Sequence, residues 1–189
     1  MSNKSKKTIE IEFRSIFDRD KYDQLFNFLS NNAEDLGEDD KDVFFFIMPD
    51  KLIKVVNNIS RKNAKFVLKL NRIGNGSDFE ETEIPLDPEY INDAVKILES
   101  INFTDNIMHS FQKRHNYLYK NVELALKYSD VWGYHLELEI VVDNKNKKDS
   151  AEKTIREIAD ELDVRLMSNK ELAEFVKNAE EKNRKENIK

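Results

Sequence analysis

Strict alternation of apolar and charged residues, repeated near both ends of the chain, is what most limits the folds open to this sequence. In "KKTIEIEFRS" Ile9, Ile11 and Phe13 fall on one face of an extended segment, and Glu10, Glu12 and Arg14 on the other. In "WGYHLELEIVV" Tyr134, Leu136, Leu138 and Ile140 share one face while Glu137 and Glu139 share the opposite one. A third acidic pair at the same spacing, Glu81 and Glu83, lies in "FEETEIPL". Period-two alternation marks these stretches as strands with one apolar face. A half-exposed strand turns its polar face to water and commonly mixes Thr, Lys and Ser among its acids. Three acidic pairs opposite strongly apolar faces point instead to a charged interior.

The same reading gives about eight strand-like stretches, near residues 8–16, 42–48, 51–58, 64–73, 79–86, 108–117, 120–127 and 133–142. Helical spacing appears in four places. Tyr22, Leu25, Phe26 and Leu29 follow the cap Asp18, and Ile91, Ala94, Val95 and Leu98 follow Asp87 and Pro88. Ala151, Ile155, Ile158, Ala159 and Leu162 form the third apolar stripe. The fourth, Leu172, Phe175, Val176 and Ala179, follows a capping box from Ser168 to Glu171. "RIGNGSD" reads as a turn, and "EEKNRKENIK" as a polar tail. Short connections favour antiparallel neighbours. The expected fold is α+β: a closed antiparallel eight-stranded β-barrel with helices packed outside. Residues 1–189 are expected to form a single domain, with a core over about 8–180 and the tail over about 180–189.

Composition narrows the function. The chain has no cysteine, which rules out disulfides and thiolate metal sites and fits a reducing compartment. It has no apolar run long enough to span a membrane, and "MSNKSKK" lacks the apolar core of a signal peptide. A soluble, cytoplasmic monomer or homodimer with no membrane partner is expected. The net charge of -6 argues against nucleic acid as a partner, because a phosphate backbone wants a basic face. A small polyanion can still be held by local cations. No Walker-type loop, Ser-His-Asp arrangement or His-based zinc spacing is present.

Such local cations lie in the strands. Lys65 and Lys69 share a face in "AKFVLKLNR", Lys54 sits mid-strand in "KLIKVV", and Lys113 and Arg114 adjoin in "FQKRHNYLY". At most one of the last two can point inward, and Arg114 is favoured. If the charged faces turn inward, carboxylates and cations line one cavity. Divalent cations need carboxylate oxygens, and the phosphates they accompany need Lys and Arg. The combination predicts a metal and phosphate tunnel. His109, His115 and His135, in or beside these stretches, read as hydrogen-bonded strand residues, and Trp132 and "VFFFIM" as core.

These residues resemble the CYTH superfamily, the triphosphate tunnel metalloenzymes that include class IV adenylyl cyclases, thiamine triphosphatases and inorganic triphosphatases. "EIEFR" is similar to the family's E-x-E-x-K signature, "FVLKL" to its strand-four lysine, "EETEI" to its mid-chain acidic pair and "KRHNY" to its R-x-x-aromatic strand. "GYHLELEI" matches G-x-[FY]-x-E-x-E, and "SNKELAEFV" resembles the segment opening the final helix. The resemblance implies that Glu10, Glu12, Glu137 and Glu139 bind Mg²⁺ or Mn²⁺, with Glu81 and Glu83 on the tunnel wall. It implies that Arg14, Lys54, Lys69 and Arg114, with Lys113 beside it, hold a small-molecule triphosphate, and that Glu10, Glu12 and Arg14 are catalytic. The implied activity is metal-dependent hydrolysis of inorganic tripolyphosphate, thiamine triphosphate or a nucleotide. The alternatives are a class IV adenylyl cyclase making cyclic AMP and pyrophosphate, and a non-catalytic triphosphate- or polyphosphate-binding module. Four positions depart from the family pattern: Arg14 replaces the usual Lys, Val56 and Phe79 stand where bases are common, and Lys127 stands where Asp is more frequent. The first removes any role for a neutral amine there, since arginine stays charged.

Overall fold

The two strands that carry the acidic signatures lie side by side. The computed structural model describes residues 9–70, 78–79 and 81–187. Its strands are β1 (Ile9–Phe17), β2 (Glu34–Glu38), β3 (Lys41–Ile47), β4 (Leu52–Asn58), β5 (Asn63–Lys69), β6 (Asp78–Phe79), β7 (Glu81–Leu86), β8 (Ile107–Tyr119), β9 (Val122–Ser129) and β10 (Gly133–Val142). They form one antiparallel sheet in the order β6-β1-β10-β9-β8-β3-β4-β5-β7, with β2 beside β8. β1 pairs with β10 along its length, Ile9 opposite Val142 and Phe17 opposite Tyr134. Lys120 and Asn121, both at positive φ, make the tight β8–β9 turn, whose twist suits a two-residue hairpin.

Every stretch read as a strand contains one, with residues 8, 71–73 and 80 of those readings outside the described residues, and two more strands appear. β2 pairs with the second half of β8 across a bulge at Gly37, whose φ of +87° favours glycine. β3 then continues along the first half of β8, so β2 and β3 are nearly one strand broken at Asp39 and Asp40. The closed eight-stranded barrel is not formed. β7 follows β5 from Leu86 to Glu81, but β6 meets β1 only through Glu10 with Phe79 and Ile11 with Asp78. The sheet is therefore an open, tunnel-like half-barrel, because two ladder pairs are all that join its edges among the described residues. The segment read as the "RIGNGSD" turn lies, up to Ser77, outside the described residues, as does the "MSNKSKK" start.

Four helices, α1 (Arg19–Asn32), α2 (Ile91–Ile101), α3 (Lys148–Glu161) and α4 (Asn169–Asn187), cover the sheet. Alternation decides which face they cover. Ile11, Phe13, Leu136 and Leu138 point outward and join Leu25 and Leu29 of α1 and Ala151, Ile155 and Ile158 of α3 in the largest core. Phe46, Val55 and Ala64 form a second core under Ile91, Val95 and Leu98 of α2. Burying each large aliphatic side chain stabilises the fold by roughly 2 kcal/mol, which fixes the opposite, charged face inward. The "VFFFIM" run divides: Phe46 lies under α2, while Val43, Phe45 and Ile47 join Leu52, Val56, Val67 and Met108 inside the sheet. α4 starts from the expected capping box, with Ser168 N donating to Glu171 Oε2 at 2.8 Å and Glu171 N to Ser168 Oγ at 3.2 Å. It then runs helical into the polar end read as a tail. Asn183 Nδ2 donates to Ile107 O at 2.8 Å and Phe175 contacts Trp132, so α4 lies over the apolar end of the curled sheet.

Candidate functional site

The inner face of the sheet encloses a cavity of about 510 Å³. Cross-strand register sorts its side chains into rows. Glu12, Glu139 and Glu123 lie abreast on β1, β10 and β9. One step along, Arg14 faces Glu137. Beyond that His135, Lys127 and Arg114 lie abreast on β10, β9 and β8. On the other wall Lys69 of β5 sits opposite Glu81 of β7, with Lys54 of β4 one row away. Lys69 and Lys65 form ion pairs with Glu81 and Glu83 respectively.

Charges in this cavity are unequally matched. Glu137 Oε1 accepts from Arg14 Nε at 2.9 Å, and its Oε2 lies 2.9 Å from Lys127 Nζ and 3.7 Å from Arg114 Nη1. Burial alone would raise the Glu137 carboxyl, but Lys127, Arg14 and Arg114 hold it well below the usual carboxylate range. Burial pushes Lys127 down to about 8 despite Glu137, with Arg114 and Arg14 adding to the effect. Glu139, two residues along β10, has no ion pair or hydrogen bond among the described residues. Burial and then Glu10, Glu12, Glu123 and Glu137 push it up to about 8. Glu10 is raised too, first by burial and then by Glu81. Lys54, also without a hydrogen-bond partner among the described residues, is pushed down to about 7 by burial and by Lys69. Half-buried carboxylates and ammoniums with no partner among the described residues are costly in one cavity, and a ligand carrying both charges would relieve both.

Arg14 is the most constrained cation. It pairs with Glu12 and Glu137, stacks over Trp132 at 5.0 Å, and leaves Nη1 buried with no hydrogen-bond partner among the described residues. Trp132 is thus part of the site wall as well as a contact of α4. A second hub lies at the β2–β3 break. The buried Asp39 carboxylate accepts from Asn58 Nδ2 at 2.6 Å and lies 2.7 Å from Lys41 Nζ, 3.1 Å from Arg61 Nε and 3.3 Å from Arg114 Nε. Burial opposes its charge, but Lys41, Asn58 and Arg114 outweigh that and hold Asp39 at about 2.

No family model matches the sequence, and no curated protein matches it. Solved structures share the architecture. The PH1012 protein of Pyrococcus horikoshii aligns over 82% of this chain and 91% of its own at 20% identity, with a TM-score of 0.67. A candidate adenylate cyclase from Vibrio parahaemolyticus aligns over 86% and 91% at 13% identity, TM-score 0.63. A candidate adenylyl cyclase from Hippeastrum, with a dominant triphosphatase activity, aligns over 84% and 89% at 14% identity, TM-score 0.58. The chain shares its fold with these proteins.

Within this fold the residues named by the sequence fall as follows. Glu10, Glu12, Arg14, Lys54, Lys69, Glu81, Glu83, Arg114, Glu137 and Glu139 all line the cavity. Lys113 does not: strand parity turns it to the exposed outer face, and it is removed from the phosphate-binding set. Phe79 enters only through its ladder pairing with Glu10. His135 lines the cavity, held neutral at about 3 by burial and Lys127, and its Nδ1 lies 3.0 Å from Gly133 O. His109 and His115 instead meet Asp42 and Asp35, each at 2.6 Å, outside it. Sequence reading missed Asp39, Lys41, Arg61 and Glu123 as site residues and treated Lys127 only as a departure. Parity along "VELALK" carried the signal for Glu123 and Lys127, since both share a face with inward Ala125. No signal marked Asp39, which lies in a run of acids resembling a solvated loop.

Among the described residues no three carboxylates or imidazoles converge as a preformed metal centre. The donor set still suits a hard divalent ion. Mg²⁺ commonly binds through one or two carboxylates plus substrate phosphates and keeps several waters. Glu10 and Glu139, unpaired among the described residues, and Glu12 abreast of Glu139 supply oxygens of that kind.

Proposed function

We propose that this protein is a metal-dependent triphosphatase that acts in the tunnel on inorganic tripolyphosphate or an organic triphosphate. The observation that most supports this is the division of one cavity between cations and carboxylates that have no ion pair among the described residues. Arg14, Lys54, Lys69 and Arg114 can neutralise a chain of phosphates, and the unpartnered Nη1 of Arg14 is a buried donor that a phosphate oxygen would satisfy. Mg²⁺ or Mn²⁺ held by Glu10, Glu12 and Glu139 would neutralise further phosphate charge and lower the pKa of a bound water. In the reaction a water oxygen bonds to the terminal phosphorus while the bond to the bridging oxygen breaks. Orthophosphate and the diphosphate remainder leave, and a proton passes to solvent. Arg14 and Arg114 face the tunnel where they can stabilise charge on the transferred group. The triphosphatase activity of the Hippeastrum protein of like fold supports the same reading.

The test is incubation of the purified chain with tripolyphosphate, ATP and thiamine triphosphate, with and without Mg²⁺ or Mn²⁺. Metal-dependent release of orthophosphate is expected. Cyclic AMP with pyrophosphate would replace the reading by a class IV adenylyl cyclase, which the Vibrio likeness favours as the second choice. Binding with no product would leave a triphosphate-binding module.

A further inference from the structure

The side-chain partners split the four strand acids into two kinds. Both oxygens of Glu137 are engaged, by Arg14 on one side and by Lys127 and Arg114 on the other. Lys127 is 5% exposed and Glu137 9%, so this pair is removed from bulk water. An ion at Glu137 would displace at least one of these cations and leave its charge buried without a partner, a costly exchange. Glu139 and Glu10 have no such partner among the described residues. Glu12 gives an oxygen to Arg14, and its row places it abreast of Glu139.

We propose that Lys127 is a built-in cation of the tunnel. With Arg114 it holds Glu137 as the anchor that positions Arg14 for phosphate, so the chain takes one divalent ion, at Glu10, Glu12 and Glu139. The inference rests on the triphosphatase reading and departs from assigning Glu137 to metal. Its chemistry is economical in charge: the Lys127 ammonium is fixed by the chain, while the divalent ion arrives with the substrate. Lys127 and Glu137 are positioning residues, acting through Arg14.

Mn²⁺ titration of the full chain by electron paramagnetic resonance, with parallel calorimetry of tripolyphosphate, tests this. The parent should bind one Mn²⁺ per chain. Glu139→Gln should weaken Mn²⁺ about tenfold or more, as loss of a ligand does. Glu137→Gln should keep Mn²⁺ affinity within about twofold yet weaken tripolyphosphate about tenfold, because Arg14 loses its anchor. Lys127→Met should weaken tripolyphosphate similarly, and Lys127→Arg should restore it. Should a single variant fail to fold, the joint change Glu137→Met with Lys127→Met removes both charges together and should still bind one Mn²⁺. Two Mn²⁺ per parent chain, or equal loss of Mn²⁺ affinity in Glu137→Gln and Glu139→Gln, overturns the inference alone. No Mn²⁺ bound to the parent overturns it together with the metal-dependent reading.

Discussion

Glu139 and Asp39 are both carboxylates of the tunnel wall, yet one is crowded by acids and the other by bases. Glu139 ionises near 4.5 ordinarily and at about 8 in the folded chain, so the fold binds its proton more tightly. The folded state therefore loses stability as pH rises from about 4.5 to about 8 and stays at that lower level above. Glu139→Gln cannot ionise, and in metal-free buffer it should be more stable than the parent near pH 8, by an amount on the order of a few kcal/mol, with little difference near pH 4.5. Denaturant midpoints across pH check this, and a variant weaker than its parent at high pH would refute it. Asp39 has the opposite sign. Its stabilising contribution is present above its ordinary value of 3.8 and is lost as pH falls through about 2. Asp39→Ala leaves Lys41, Arg61 and Arg114 facing one another, and should cost about 3 to 5 kcal/mol in a urea titration at neutral pH.

Among the elements, strands were more legible than their partners. The strict alternation in β1 and β10 fixed both their type and which side chains face inward, because a one-residue slip would bury the acids under α1 and α3. "EDLGE" carried no alternation, and β2 forms there because the edge of β8 beyond β3 offers it a partner. That is a tertiary cause, invisible locally. Parity allowed only one of Lys113 and Arg114 to face inward without saying which, whereas the Asp39 hub depended on where the β2–β3 strand breaks. α4 was readable from its cap, but its place over Trp132 was not. Ser168→Ala should lower stability by about 1 kcal/mol, measured by thermal unfolding, since it strips the hydroxyl that accepts from Glu171 N. An unchanged midpoint would mean that the cap adds nothing to what the contacts of Phe175 with Trp132 and of Asn183 with Ile107 already hold.

At the scale of the molecule, the expected barrel became an open half-barrel because strand count does not determine closure. The 78–86 region pairs for six positions with β5 and for two with β1. The interior that results has an apolar end beneath α4 and a charged remainder, where carboxylates and cations would be destabilising without a ligand that matches both. Tripolyphosphate calorimetry in Mn²⁺ tests this central claim most directly, with Arg14→Gln as the inward variant and Lys113→Gln as the outward control. Tight binding by the parent and by Lys113→Gln, with affinity about tenfold or more weaker in Arg14→Gln, is the predicted result. Equal loss in both variants, or no binding by the parent, would contradict a phosphate-holding tunnel.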